Sequence, residues 1–157
     1  MIFEQGVAVF FIALIAIIII ATIPGWLVSL KYNEEIGGFF KFADQASDAQ
    51  TKSDYFNQYV EAIDKNKLTE GCNSIWFCEQ PNARMEDKYK VLKSLQVRLN
   101  ELKTLKETET AYQLGMTQMT ENEFCWFPNN AFHQQYLLKH GIWWEALSPT
   151  GTYNDCE

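Results

Sequence analysis

Charged residues are missing from the first part of this sequence. From Gln5 to Leu30 the chain contains no Asp, Glu, Lys or Arg, and Ile, Ala, Val, Phe and Leu dominate. A helix of this length would reach about 39 Å, whereas a bilayer core needs about 30 Å. A core helix with no polar face would be unusual. The sequence therefore predicts a single transmembrane helix from about Gly6 to Leu30.

The features of a cleaved signal peptide are also lacking. The opening residues MIFEQ hold no Lys or Arg. A signal peptide has a basic start and an apolar stretch of only about 7 to 15 residues. We therefore expect an uncleaved membrane anchor.

Catalytic signatures are scarce. The chain has only two histidines, His133 and His140, and no P-loop, dinucleotide fingerprint, nucleophile elbow or Cys-x-x-Cys motif. The carboxylate pairs are interpreted as solvated helix ends or faces. These are Glu34 with Glu35, Glu86 with Asp87, and Glu121 with Glu123. We predict a protein without enzymatic activity and without a cofactor.

Basic surface is in short supply as well. All 13 Lys and Arg and all but one of the 20 Asp and Glu lie after Leu30, so the remainder of the chain is acidic. Nucleic-acid binding needs a basic face, and docking on anionic lipid needs a polybasic segment. The acidic composition therefore disfavours nucleic-acid binding and docking on an anionic lipid surface.

The side of the membrane on which the domain lies is signalled weakly. No basic residue precedes the apolar stretch, while Lys31 and Lys41 follow it, which slightly favours a cytoplasmic domain. Four cysteines and many aromatic residues are instead typical of a small disulfide-bonded domain in an oxidising space. We expect an extracytoplasmic domain.

The four cysteines are Cys72, Cys78, Cys125 and Cys156. An even number favours two disulfide bonds that staple the domain, although four free thiols remain an alternative and the pairing is open. Five residues separate Cys72 from Cys78, one more than zinc sites favour. Cys125 could join His133 and His140 around a metal, but the spacing does not require it, and we predict no metal.

Two helices carry most of the periodic signal. Residues 51–66 place Tyr and other apolar residues on one face, with Thr51 and Asp54 resembling a capping box. Residues 82–107 repeat Met, Tyr and Leu at intervals of three and four. We predict that the two helices form an intramolecular hairpin. A parallel coiled-coil dimer is the alternative.

The predicted fold class is mainly α: a single transmembrane helix followed by a small helical domain built on this hairpin and stapled by disulfides. The predicted segments are an anchor at 1–30, a juxtamembrane hinge segment at 31–50 and a soluble domain at 51–157. Pro24 and Gly25 predict a kink in the span, and Gly37 with Gly38 predicts a hinge.

Local signals divide the rest of the chain. Thr120 and Glu123 have capping-box spacing, and Gly115 is expected to weaken the preceding helix. Gly141, after His140, predicts a helix end stabilised by a left-handed glycine, with Ile142 supplying the accompanying apolar contact.

Exposed aromatic residues are the best candidates for partner contacts. Trp76 and Phe77 would lie at the tip of the hairpin, and Trp143 and Trp144 lie near the end of the chain. Tryptophan is enriched in binding hot spots. The alternative, which the pattern favours, is that these rings fill the core.

The first 30 residues resemble a mature type IV pilin. They carry an acidic residue near the start, Glu4, then a long apolar helix, then Ile23-Pro24-Gly25-Trp26 where pilins often have Ile-Pro-Ala-Tyr. The spacing from Glu4 to Pro24 is longer than in pilins, and the middle of the chain predicts helices where a pilin has a sheet. The span and short helical repeat also resemble division-complex subunits and phage spanins in architecture alone. We assign no family.

The function expected from these features is structural. The chain is predicted to be a single-pass accessory or structural subunit of a membrane, cell-surface or virion assembly, with membrane lipid and other membrane or surface proteins as partners. Self-association is also expected to be possible. The alternatives are a membrane-tethered ligand-binding or sensor domain and a pilin-like filament subunit.

Overall fold

A computed structural model describes residues 2–72, 84–124, 127 and 129–143, and the regular elements in these residues are helices. In chain order they are α1 (Ile2–Tyr32), a π-helix (Asn33–Gly37), α2 (Gly38–Gln45), α3 (Ala49–Lys65), α4 (Met85–Leu102), α5 (Thr110–Gln118), a second π-helix (Met119–Glu123) and α6 (Asn129–Lys139). The prediction of a mainly helical chain with one long apolar helix near its start is confirmed.

α1, the first π-helix and α2 form one uninterrupted helix. The stretch Phe10–Gln45 contains 36 residues and is long and apolar enough to cross a membrane. Gly37 and Gly38 have φ of −62° and −59°, so the backbone stays helical where a hinge was predicted. A Cβ on Gly38 would lie 2.8 Å from the Asn33 carbonyl oxygen, so this glycine allows a close backbone approach. Pro24 lies inside α1, which continues through it.

The core forms where α3 packs back along α2. Phe40 contacts the rings of Phe56, Tyr59, Phe124 and Phe127 at centroid distances of 5.3–6.4 Å. Ile36, Phe56 and Tyr59 have no exposed surface. The predicted 31–50 segment therefore supplies a large part of the core, while its boundaries stay a prediction.

The two predicted hairpin helices lie side by side. Asn57 on α3 accepts a hydrogen bond from Gln96 on α4 at 2.7 Å, and Asn100 accepts hydrogen bonds from Ser53 and Asn57. The apolar stripe of α4 is buried against the same chain; it consists of Met85, Leu92, Leu95, Leu99 and Leu102. The parallel coiled coil is therefore not supported, because the surface it would need is already covered.

The helix ends differ partly from the sequence prediction. Asp48, not Thr51, caps α3, since its carboxylate accepts a hydrogen bond from the Thr51 amide at 2.8 Å. The predicted capping box at Thr120 lies within the second π-helix, which has no side-chain cap. Gly115 lies inside α5, where a Cβ would come within 2.6 Å of Leu102 Cδ1. Because Gly115 has no side chain, Leu102 of α4 can pack closely against α5, and the helix continues through this glycine.

The end of α6 matches the prediction. Gly141 has φ of +77°, and the Ile142 amide donates to the Leu137 carbonyl at 2.9 Å. Ile142 is buried. This is the expected hydrogen bonding of a helix closed by a left-handed glycine.

Candidate functional site

The candidate site is the junction at which α6 lies against the end of the apolar helix. Tyr32, near the last turn of α1, is touched by three residues spaced along α6: Asn129, His133 and Tyr136. Asn129, His133 and Tyr136 are spaced at i, i+4 and i+7, so they share the face of α6 that Tyr32 contacts. The junction therefore holds the domain directly against the long apolar helix.

A shared acceptor lies at the centre of the junction. The Asn129 side-chain oxygen accepts hydrogen bonds from the Tyr59 hydroxyl at 2.8 Å and the Tyr32 hydroxyl at 3.2 Å. Three elements, α1, α3 and α6, thus meet at one amide. Burial raises the pKa of Tyr59 well above its usual value, and the neighbouring Tyr32 adds to the shift. Tyr59 therefore stays a neutral donor across the physiological pH range.

His133 faces the apolar helix. Its Nε2 atom lies 3.1 Å from the Ser29 hydroxyl, and its ring stacks on Tyr32 at a centroid distance of 4.6 Å. Burial lowers the pKa of His133 below its usual 6.5. The imidazole is therefore neutral at pH 7 and shares one hydrogen bond with Ser29.

The outer edge of the junction is charged. The Tyr136 hydroxyl donates to Glu35 at 3.5 Å, and Lys31 lies 3.7 Å from the same carboxylate. Burial, followed by the charge of Glu35, raises the pKa of Tyr136. The helix thus passes from apolar residues to charged ones within the length that α6 covers.

These groups hold α6 against the end of the apolar helix. The Tyr59 hydroxyl is bound by Asn129, and the His133 ring is bound by Ser29. The described part of the chain contains no cluster of three or more His, Cys, Asp or Glu that could hold a metal. His140 stacks on Tyr136 instead, with Nδ1 3.0 Å from the Tyr136 carbonyl oxygen.

A second feature is a groove between α4, α5 and the second π-helix. Its volume is about 410 Å³, and its walls include Leu102, Leu105 and Met119. Arg98 forms an ion pair with Glu123 at its edge. The other Glu123 carboxylate oxygen is buried and has no hydrogen-bond partner among the described residues. The groove therefore has an apolar wall with an ion pair at its edge.

Predicted site residues fall partly outside the described structure. Trp143 is 55% exposed and is not a core residue. Trp76, Phe77 and Trp144 lie outside the described residues, so their partner contacts stay a prediction. In the predicted kink, Pro24 is exposed while Gly25 is buried.

The cysteine predictions are tested at one position only. Cys72 is described and is not a free thiol. Cys78, Cys125 and Cys156 lie outside the described residues. The two disulfides and the alternative Cys125 metal site therefore stay predictions.

The sequence reasoning missed the junction. No local sequence pattern connects Tyr32 with Asn129, yet they meet in the core. A single polar residue, Ser29, near the end of a long apolar run was the available signal. A polar side chain there needs a partner, and His133 supplies it.

No family model, curated protein or solved structure matches this chain. The function proposed below is therefore based on the geometry of the described residues.

Proposed function

We propose that this chain is a non-enzymatic, single-pass accessory or structural subunit of a membrane or surface assembly. The observation that carries the proposal is the continuous helix from Phe10 to Gln45. Its first half is exposed and apolar, and its second half is built into the domain core. The helix thus joins a membrane anchor rigidly to a domain that can present protein contacts.

The exposed faces of the span suit lipid or another transmembrane helix. Phe10, Ile12, Ile17 and Ile20 are each more than 60% exposed. In water such a surface would aggregate, whereas in a bilayer it is solvated by lipid chains. The proposed partners are therefore membrane lipid and other membrane proteins, including further copies of this chain.

Placement of the domain outside the cytoplasm belongs to the same proposal. Cys72 is not a free thiol, which supports this placement because disulfides persist in oxidising compartments. The proposed two disulfides would staple the segment after α3 and the end of the chain. Intact mass with and without reduction, after alkylation of free thiols, tests this directly: four alkylated thiols would return the domain to the cytoplasm.

The test of the subunit proposal is purification of the full chain from its native membrane in mild detergent after cross-linking. We expect a partner protein in fixed stoichiometry. A pilin-like filament subunit would instead give a ladder of its own multiples. A monomer with no cross-linked partner would contradict both.

One observation favours a ligand-binding function as second candidate. The groove at Leu102 and Met119 has an apolar wall, with the Arg98–Glu123 ion pair at its edge. A small amphiphile with an apolar body and one polar group would complement both features. A thermal shift with such amphiphiles that disappears in Glu123→Gln would support this function.

A further inference from the structure

The two ends of the domain differ in their distance from the apolar stretch. Lys52, near the start of α3, contacts the carbonyls of Ala43 and Asp44 at the far end of α2. Asn66, just after α3, shares a cavity with Glu35. α3 therefore runs back toward α1, and its last residues are level with the place where the apolar stretch ends.

The segment after α3 stays at this end. The Cys72 and Arg84 backbones form an antiparallel bridge, and the Met85 amide donates to the Gly71 carbonyl at 3.0 Å. The chain thus leaves the hairpin at Cys72 and returns beside it at Arg84. Residues 66–72 and Arg84 form the base of the α3–α4 connection.

α6 belongs to the same end. Lys139 donates to the Asn66 carbonyl at 2.6 Å, and Gln135 donates to the Glu70 carbonyl at 3.0 Å. On its other side, α6 reaches Ser29 through His133. Residues 66–72, Arg84 and α6 therefore form one continuous surface, called here the anchor-side end.

The apolar stretch fixes how close this surface lies to lipid. Trp26, Leu27 and Leu30 are exposed at 61%, 53% and 44%, and the first charge after them is Lys31. Val28 is partly buried against the core, and Ser29 contacts His133 of α6. The domain therefore covers one side of α1 before the apolar surface has ended.

We propose that the anchor-side end rests on the bilayer surface, with the lipid headgroup layer as its partner. The proposal rests on the membrane anchoring proposed above. α6 holds the domain at Ser29, and the helix is continuous at this point. The domain therefore stays close to the lipid layer that would solvate Trp26 and Leu30. Tryptophan at position 26 suits this interfacial layer.

Site-specific photo-cross-linking to lipid tests the proposal in the full chain. A benzophenone amino acid replaces exposed Glu70 on the anchor-side end, or exposed Glu107 in the turn after α4 as matched control. A third variant places it at Ile17 in the apolar helix. Each is reconstituted in phosphatidylcholine vesicles containing a clickable phosphatidylcholine, and circular dichroism checks helix content.

The expected result is a strong lipid adduct at Ile17 and several-fold more adduct at Glu70 than at Glu107. Adduct at Ile17 with equal, low adduct at Glu70 and Glu107 would overturn the proposal while leaving the anchor intact. Absence of adduct at Ile17 would overturn the anchor itself. A protein adduct at Glu70 in place of lipid would assign this end to a second copy of the chain.

Discussion

Lys52 is the residue whose position in the fold is most at odds with its type. It is fully buried, yet its ammonium donates to the carbonyls of Ala43 at 2.8 Å and Asp44 at 3.0 Å and lies 4.4 Å from the Phe124 ring centroid. Free carbonyls at a helix C-terminus attract a cation. Burial nevertheless lowers the pKa of Lys52, and Asp44 only partly opposes the shift.

Replacing Lys52 therefore destabilises the domain by removing both packing and hydrogen bonds. Lys52→Ala should lower the free energy of unfolding by about 3 kcal/mol, because it leaves a cavity and removes two hydrogen bonds to backbone carbonyls. Lys52→Met keeps most of the volume and should cost about 1 kcal/mol. Chemical denaturation in detergent micelles measures both. Equal losses would show that hydrogen bonding, not volume, dominates.

The lowered pKa of Lys52 has a consequence at alkaline pH. Between that lowered pKa and the unfolded value of about 10.5, the unfolded chain binds more protons than the folded one. The free energy of unfolding should therefore gain a rising component with pH across this window. The difference between wild type and Lys52→Met isolates it, and a flat difference would contradict the assignment.

His133 gives the corresponding prediction in acid. Its folded pKa is lowered by burial, so the unfolded chain takes up a proton first as pH falls below about 6.5. As the pH falls from about 6.5 to the lowered pKa of His133, the free energy of unfolding should decrease. Below that pKa, His133 should cause no further decrease. His133→Gln should remove this slope in thermal melts, whereas His140→Gln should keep it.

At the scale of the elements, α6 depends on its last turn to reach the apolar helix in a fixed position. Gly141 has φ of +77°, a conformation that side chains disfavour, and a Cβ there would meet nothing within 4 Å. The cost of substitution is therefore conformational. Gly141→Ala should lower the free energy of unfolding by about 1 kcal/mol, and Gly141→Asn by less.

A matched control for Gly141 lies at the other left-handed glycine. Gly71 has φ of +90° and a Cβ there would lie 3.2 Å from Gln135 Nε2. Gly71→Ala combines strain with this contact and should cost more than Gly141→Ala. The order is measured by urea denaturation, and a reversed order would mean that the α6 end depends on more than its backbone conformation.

Sequence patterns predicted the elements better than their contacts. The α3 and α4 helices follow from apolar spacing, and Gly141 ends α6 as expected. The continuous helix through Gly37 and Gly38 did not follow, because glycine is read as a breaker unless its neighbours are known. Here the neighbour is the Asn33 carbonyl, which leaves no room for a Cβ on Gly38.

The junction was hidden for a related reason. Tyr32 and Asn129 are 97 residues apart, and no local pattern connects residues so distant in sequence. Their pairing depends on α6 packing against the end of α1, which is a property of the folded core. Periodicity tells which face of a helix is buried but not which helix covers it.

For the whole molecule, the main question is where the domain begins. Tyr32, Ile36 and Phe40 are buried in the core, and contact with α6 starts at Ser29. A chain cut to residues 25–157 should keep its helical content and a cooperative melt. A chain cut to 51–157, the predicted soluble domain, should lose cooperative unfolding, because α2 is absent. Circular dichroism compares them, and a cooperative 51–157 chain would contradict this view of the core.

The unbroken helix from Phe10 to Gln45 also makes the chain a rigid shaft. Because the helix is continuous from the apolar half into the domain, rotation of the apolar half about the helix axis rotates the domain by the same angle. One extra residue inserted in the exposed half would turn the domain by about 100° and raise it by about 1.5 Å relative to whatever grips the start of the helix. The direction in which the domain faces is therefore set by the number of residues in the exposed, apolar half of the helix.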